Sequence, residues 1–246
     1  MAELVKWRVR PDRARAAVLV LHGGQEASTA PTRSWQPAAV RMYPYLRWEA
    51  RATAAGAAAV GLVRYRYRGW NGERADAARD VAAALDAVAA ELGPVPVVLV
   101  GHSMGGRAAL RAAGHRSVSA VVALAPWCPP QDPCEQLAGR TLVTLHGSRD
   151  RVTDPAETRA FAARARAAGA AVAAIEVAGA DHGMLRHSAD WHRTTALLTA
   201  GLLGLRGLPE QVAAALALGE AEPGGLWLPV PDRAAWPPIR GADRAE

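Results

Sequence analysis

The residue pattern best suited to nucleophilic chemistry is a serine between two glycines, Gly101-His102-Ser103-Met104-Gly105. The spacing G-x-S-x-G places a serine on a turn too tight for a β-carbon two residues before or after it, which leaves the hydroxyl standing clear of the backbone. Such a hydroxyl can attack an acyl carbon if a base takes its proton and if amide donors receive the charge that develops on the acyl oxygen. One donor is expected at the N–H of Met104, directly after the serine. A second is expected from His22-Gly23-Gly24-Gln25, where Gly24 and Gln25 are equally placed to supply it. His182, in Asp181-His182-Gly183-Met184, is the expected base, and Asp150, in His146-Gly147-Ser148-Arg149-Asp150, the acid that orients it. His182 would then take the Ser103 proton while Asp150 fixes the imidazole tautomer and stabilises its cation, and water would later release the acyl group.

These residues must be brought together by the elements that precede them. Apolar runs over 16–21, 57–67, 95–100, 118–125, 141–145 and 171–177 read as strands, most of them buried on both faces. Between them, 73–92, 107–113, 155–168 and 188–205 have helical composition, with Gly93, Gly114 and Gly169 as stops. The alternation predicts an α/β fold: a mostly parallel central sheet with helices on both faces. In a parallel sheet the carboxyl ends of the strands share one edge, and Ser103, Asp150 and His182 all lie just beyond such ends. Residues 1–205 are expected to form this domain. Residues 206–246 are expected to add a short helix over 209–219 and a proline-rich tail, with Trp227 and Trp236, packed on the same domain.

Composition narrows the remaining classes. The chain has 246 residues, half of them hydrophobic, and a formal net charge of +6 carried almost entirely by arginine, Lys6 being the one lysine. The arginines are dispersed among acidic residues, so no nucleic-acid surface is expected. Cys128 and Cys134 are too few for a disulfide framework and are expected to be reduced, consistent with a cytoplasmic protein. Residues 1–15 carry charges throughout and do not resemble a secretion signal. The longest uncharged run, 117–131, contains three prolines and is shorter than the roughly 20 residues a membrane helix needs.

On the strength of GHSMGG (101–106), LHGG (21–24), LHGSRD (145–150) and DHGM (181–184), the chain resembles the α/β-hydrolase superfamily over about 16–205. The turn Arg68-Gly69-Trp70-Asn71-Gly72 is similar to one that many members carry, although Arg66 stands where an aspartate is usual, so that stretch is expected to have no catalytic role. The resemblance implies a serine esterase without a cofactor, acting on a small acyl substrate, with the chain order Ser103, Asp150, His182 that the fold imposes. A lid domain, where members have one, follows the strand after the nucleophile helix. Here only the proline-rich residues between Ala125 and Thr141 are available, and no sizeable cap is expected. Trp127 and Trp70 are expected to wall the substrate pocket, with the loop from Gly24 to Tyr45 as a further boundary.

Other readings compete. Asp154 is an alternative acid, but Pro155 after it marks it as a helix N-cap. His22, His102, His146 and His182 fall near one sheet edge, yet no pair has a helical metal-binding spacing, so no metal is expected. An acyltransferase or perhydrolase would use the same three residues, and a non-catalytic binding member of the fold would not need to keep them.

Overall fold

The computed structural model describes residues 4–232 and Trp236. Eight strands form one sheet: β1 (Val5–Val9), β2 (Ala16–Leu21), β3 (Ala58–Val63), β4 (Val97–His102), β5 (Val118–Leu124), β6 (Thr141–Gly147), β7 (Ala171–Val177) and β8 (Leu228–Pro229). Their spatial order is β1-β3-β2-β4-β5-β6-β7-β8, with β1 antiparallel to β3 and every other pair parallel. Parallel neighbours require crossovers, and helices supply all but the one from β5 to β6: α1 (Pro37–Val40) and α2 (Tyr43–Ala52) after β2, α3 (Asp76–Leu92) after β3, α4 (Met104–Ala112) after β4, α5 (Pro155–Ala167) after β6, and α6 (Ser188–Leu202) and α7 (Glu210–Leu216) after β7.

Successive side chains of a strand point to opposite faces, so strands covered on both sides must be apolar throughout. In β2, Ala17, Leu19 and Leu21 join one core with Val81 and Leu85 of α3, Ala108 of α4 and Phe161 of α5. Val18 and Val20 join the other, with Met42, Tyr45 and Leu46 beside or within α2, Trp191 and Leu198 of α6, and Val212 of α7. The expected three-layer arrangement is therefore present. Residues 125–141, between β5 and β6, hold only a single 3-10 turn, Glu135–Leu137, and no cap domain exists among the described residues. No helix there is long and apolar enough to cross a membrane. Cys128 and Cys134 are both free and buried.

Several boundaries differ from expectation. The strand expected over 57–67 ends at Val63, because the Arg66 N–H and guanidinium turn to Asp80 of α3. The nucleophile helix begins at Met104 rather than at 107, and the helix expected to reach 205 stops at Leu202. The stretch expected as a loop from Gly24 to Tyr45 contains α1 and the start of α2, and β1 and β8 are additional strands. After α7, β8 pairs with β7, and buried Arg166 of α5 donates to the carbonyls of Glu222, Gly224 and Val172, which binds this segment to the domain. For the tail, 233–235 and 237–246 lie outside the described residues.

One buried carboxyl gives this core a pH dependence. Glu49 of α2 is fully enclosed against α6, where Oε1 accepts from the Thr199 hydroxyl at 3.2 Å. Burial raises its pKa from 4.5 to about 8, only partly opposed by the Thr199 hydrogen bond. A carboxyl with a raised folded pKa favours the native state fully below its unfolded value, and that contribution is lost as pH rises through the folded one. The Glu49→Gln variant is accordingly expected to lose less stability than the parent between about pH 5 and 9, a difference of several degrees in Tm. Parallel losses in the two proteins, measured by thermal melts across that range, would contradict the assignment.

Candidate active site

The turn from β4 into α4 forces Ser103 to φ 57° and ψ −120°, a conformation costly for a residue with a side chain. Flanking glycines make the turn possible: a β-carbon on Gly101 would lie 2.4 Å from the Gly105 carbonyl oxygen, and one on Gly105 would lie 2.5 Å from that of His22. The elbow is fixed on both sides by backbone hydrogen bonds, Ser103 N–H to Leu124 O at 3.0 Å and Trp127 N–H to Ser103 O at 3.2 Å. The serine is thus held by both β4 and the chain leaving β5.

Two loops from other strand ends close on it. His182, from the loop after β7, places Nε2 3.1 Å from Ser103 Oγ and Nδ1 2.8 Å from Asp150 Oδ2. Asp150, after β6, is buried and receives further bonds from the amides of Val152 (2.8 Å) and Thr153 (3.1 Å), the Thr153 hydroxyl (3.0 Å) and His146 Nε2 (3.1 Å). Burial alone would raise the pKa of this carboxyl. The hydrogen bonds from His146, His182, Val152 and Thr153 outweigh it and hold Asp150 well below the usual carboxylate range, so it is an anion at neutral pH. Asp154 instead caps α5, accepting from the Ala156 N–H at 2.8 Å, in keeping with its expected part.

The other histidines have separate settings. His102 is buried beneath His182, with ring centroids 4.8 Å apart, and its Nε2–H donates to the His182 carbonyl at 3.0 Å. Burial, then the neighbouring charges of His182 and Arg41, push its pKa down to about 3. His102 is therefore an uncharged strut under the His182 loop. His22 packs on Tyr65 at 4.5 Å, and burial lowers its pKa. Among the described residues no group of three or more His, Cys, Asp or Glu side chains is arranged to hold a metal ion.

Amide donors are available beside the serine. Met104 is the first residue of α4, so its N–H belongs to the helix-terminal amides that lack an intrahelical acceptor. Gly24 sits against it, where a β-carbon would lie 2.3 Å from Met104 Cε and 2.4 Å from the Arg68 carbonyl oxygen. Of the two candidates for the second donor, the Gln25 N–H donates to Arg68 O at 2.8 Å. Between these two, that contact favours the Gly24 amide.

Trp70 and Trp127 lie edge to face, 6.3 Å apart, and both line a cavity of about 460 Å³. Between them runs Arg107, one turn along α4 from Ser103, its guanidinium 4.0 Å from the Trp70 ring and 4.2 Å from that of Trp127. Asp132 holds it in a two-point ion pair at 2.6 and 2.7 Å. Each indole thus presents a face to the cation, and Glu26, Glu73, Arg111 and Gln131 complete a polar wall. Sequence reasoning singles out the two tryptophans but not Arg107 or Asp132, although the i+4 spacing from Ser103 is an available signal.

A family model described as "Alpha/beta hydrolase family" matches residues 18–244. No curated protein matches. Among solved structures, a predicted CIB-like hydrolase from Thermoplasma acidophilum is similar with a TM-score of 0.56 at 16% identity, covering 78% of this chain and 89% of its own. The protein XC6422 from Xanthomonas campestris, described as an α/β serine hydrolase without lid, gives 0.52 at 20% identity over 79% and 87%. An esterase from Pyrobaculum calidifontis gives 0.59 at 17% identity over 80% and 78%. At these identities the resemblance is one of fold.

Proposed function

The chain belongs to the alpha/beta hydrolase family, and from that premise we propose that it is a serine hydrolase cleaving ester-type acyl substrates through an acyl-enzyme on Ser103. The observation that carries this reading is the continuous path Ser103 Oγ, His182 Nε2, His182 Nδ1, Asp150 Oδ2, with contacts of 3.1 and 2.8 Å ending on an ionised carboxylate. In the first half-reaction His182 Nε2 takes the hydroxyl proton as Ser103 Oγ attacks the acyl carbon. The Asp150 anion stabilises the imidazolium that results without accepting its proton. The amides of Met104 and Gly24 receive the oxyanion. The imidazolium then gives its proton to the leaving alkoxide, and in the second half-reaction water attacks the acyl carbon along the reverse proton path.

Trp127 adjoins the nucleophile through its backbone and belongs to the wall of the cavity, which Ser103 and His182 do not themselves line and which we propose as a flanking substrate subsite. Its polar lining and the short 125–141 connection favour small soluble esters over long acyl chains. Turnover of p-nitrophenyl acetate and butyrate is expected to exceed that of the dodecanoate, and tributyrin hydrolysis should rise smoothly with concentration through the solubility limit. A jump in rate on emulsified substrate would show that a mobile cover exists after all. Adding competing alcohols or peroxide to the same assays separates hydrolysis from acyl transfer.

A further inference from the structure

Asp150 Oδ2 receives two imidazoles, not one. His146 Nε2 lies 3.1 Å from the same oxygen that His182 Nδ1 contacts at 2.8 Å. His146 is wholly buried at the end of β6, and its other nitrogen, Nδ1, is 2.8 Å from the Thr158 hydroxyl of α5. An ionised carboxylate can only accept, so the His146 nitrogen facing it must carry a hydrogen. The Thr158 hydroxyl can satisfy the opposite nitrogen as donor, which selects the Nε2–H tautomer.

We infer that His146 is a positioning residue for the acyl-transfer chemistry, acting through Asp150 as a second imidazole donor whose tautomer Thr158 selects. This rests on the reading of Ser103, His182 and Asp150 given above. The two backbone amides bind Oδ1, and the Thr153 hydroxyl also reaches Oδ2, at 3.0 Å, while lying 3.1 Å from His182 Nδ1 and 3.3 Å from the Ala125 carbonyl. His146 is the second imidazole on Oδ2, and its Nε2 lies nearer to that oxygen, at 3.1 Å, than to the Thr153 carbonyl, at 3.3 Å. By sharing the negative charge on Oδ2, it also moderates the pull of the carboxylate on the His182 proton. The remaining ionisable ring against His182 is His102, uncharged through burial, with Arg41 within electrostatic range of that ring.

Removing the second donor leaves Oδ2 a stronger acceptor and less well aimed. The His146→Phe variant is expected to lose about tenfold or more in kcat on p-nitrophenyl acetate, a magnitude typical of groups that orient a reacting residue, with KM little changed. The acid limb of its kcat/KM profile should move to higher pH, since a less shared carboxylate stabilises the imidazolium more. His146→Gln, whose amide can reach the same oxygen, should recover most of kcat and return the limb. Thr158→Val, nearly isosteric, should shift the limb in the same direction by less, and with His146→Gln it tests the idea even if His146→Phe does not fold. Proton NMR of the whole protein near pH 7 should show two downfield imidazole N–H signals, one lost in His146→Phe while the His182 signal moves. If the folded variants keep the parent acid limb and the His182 signal stays in place, His146 only fills space and the inference is overturned. Should the parent hydrolyse no ester at all, the proposed function fails, and the NMR comparison still decides whether His146 holds Asp150.

Discussion

Replacing Ser103 with alanine is expected to abolish ester turnover and fluorophosphonate labelling together, lowering kcat by on the order of 10⁴-fold or more while the protein still folds. The fold should tolerate the change because the elbow is held by backbone hydrogen bonds from Ser103 and Trp127 and by the glycines around it, none of which uses the hydroxyl. Alanine meets the same left-handed φ of 57° that serine already occupies, so no new backbone strain is added. Steady-state rates, probe labelling and a thermal melt measured on one preparation check all parts of this expectation. Substantial residual activity in a folded variant would assign the chemistry to another residue.

The second large effect separates two aspartates four residues apart. Asp150→Asn preserves size but places an amide where His182 Nδ1–H needs an acceptor, which favours the wrong imidazole tautomer. The expected loss is roughly 10³ to 10⁴-fold in kcat, with little effect on KM. Asp154→Ala should leave kcat near the parent value and cost about 1 kcal/mol of stability, because its carboxylate satisfies the Ala156 amide at the start of α5. Kinetics and denaturant unfolding of the pair test this directly. Exchanged effects would mean that Asp154 is the orienting acid.

The amino-acid sequence distinguishes those two aspartates for a physical reason: Pro155 can occupy the first helical turn but donates no hydrogen bond, which leaves the residue preceding it as the cap. The strands β2 and β4 to β7 are equally legible, since burial on both faces demands unbroken apolar runs. The segment α2 is not. Its inward positions, Tyr45, Leu46, Glu49 and Ala52, have helical spacing, but the buried glutamate among them conceals the apolar stripe. Edge strand β1 buries only Val5, and its alternating charges read as surface. In the candidate site the gaps are contacts between distant segments. Arg68 O captures the Gln25 N–H, Arg107 threads between Trp70 and Trp127, and Thr158 meets His146 across the β6 to α5 connection. Such meetings depend on how loops approach in space, and neither periodicity nor motif spacing encodes them.

The short connection between β5 and β6 also bears on the tempo of the reaction. Many related catalysts must wait for a flap to swing aside for substrate to enter and again for product to depart, and those microsecond-to-millisecond excursions cap their throughput. Here that connection holds only a single 3-10 turn among the described residues, too little to build such a flap. If the proposed function holds, encounter and departure are expected to be governed by diffusion and by the grip of the Trp70 and Trp127 wall. The covalent steps are left as the slow ones, so solvent viscosity should have little influence on turnover while the reactivity of the ester's leaving group should have much.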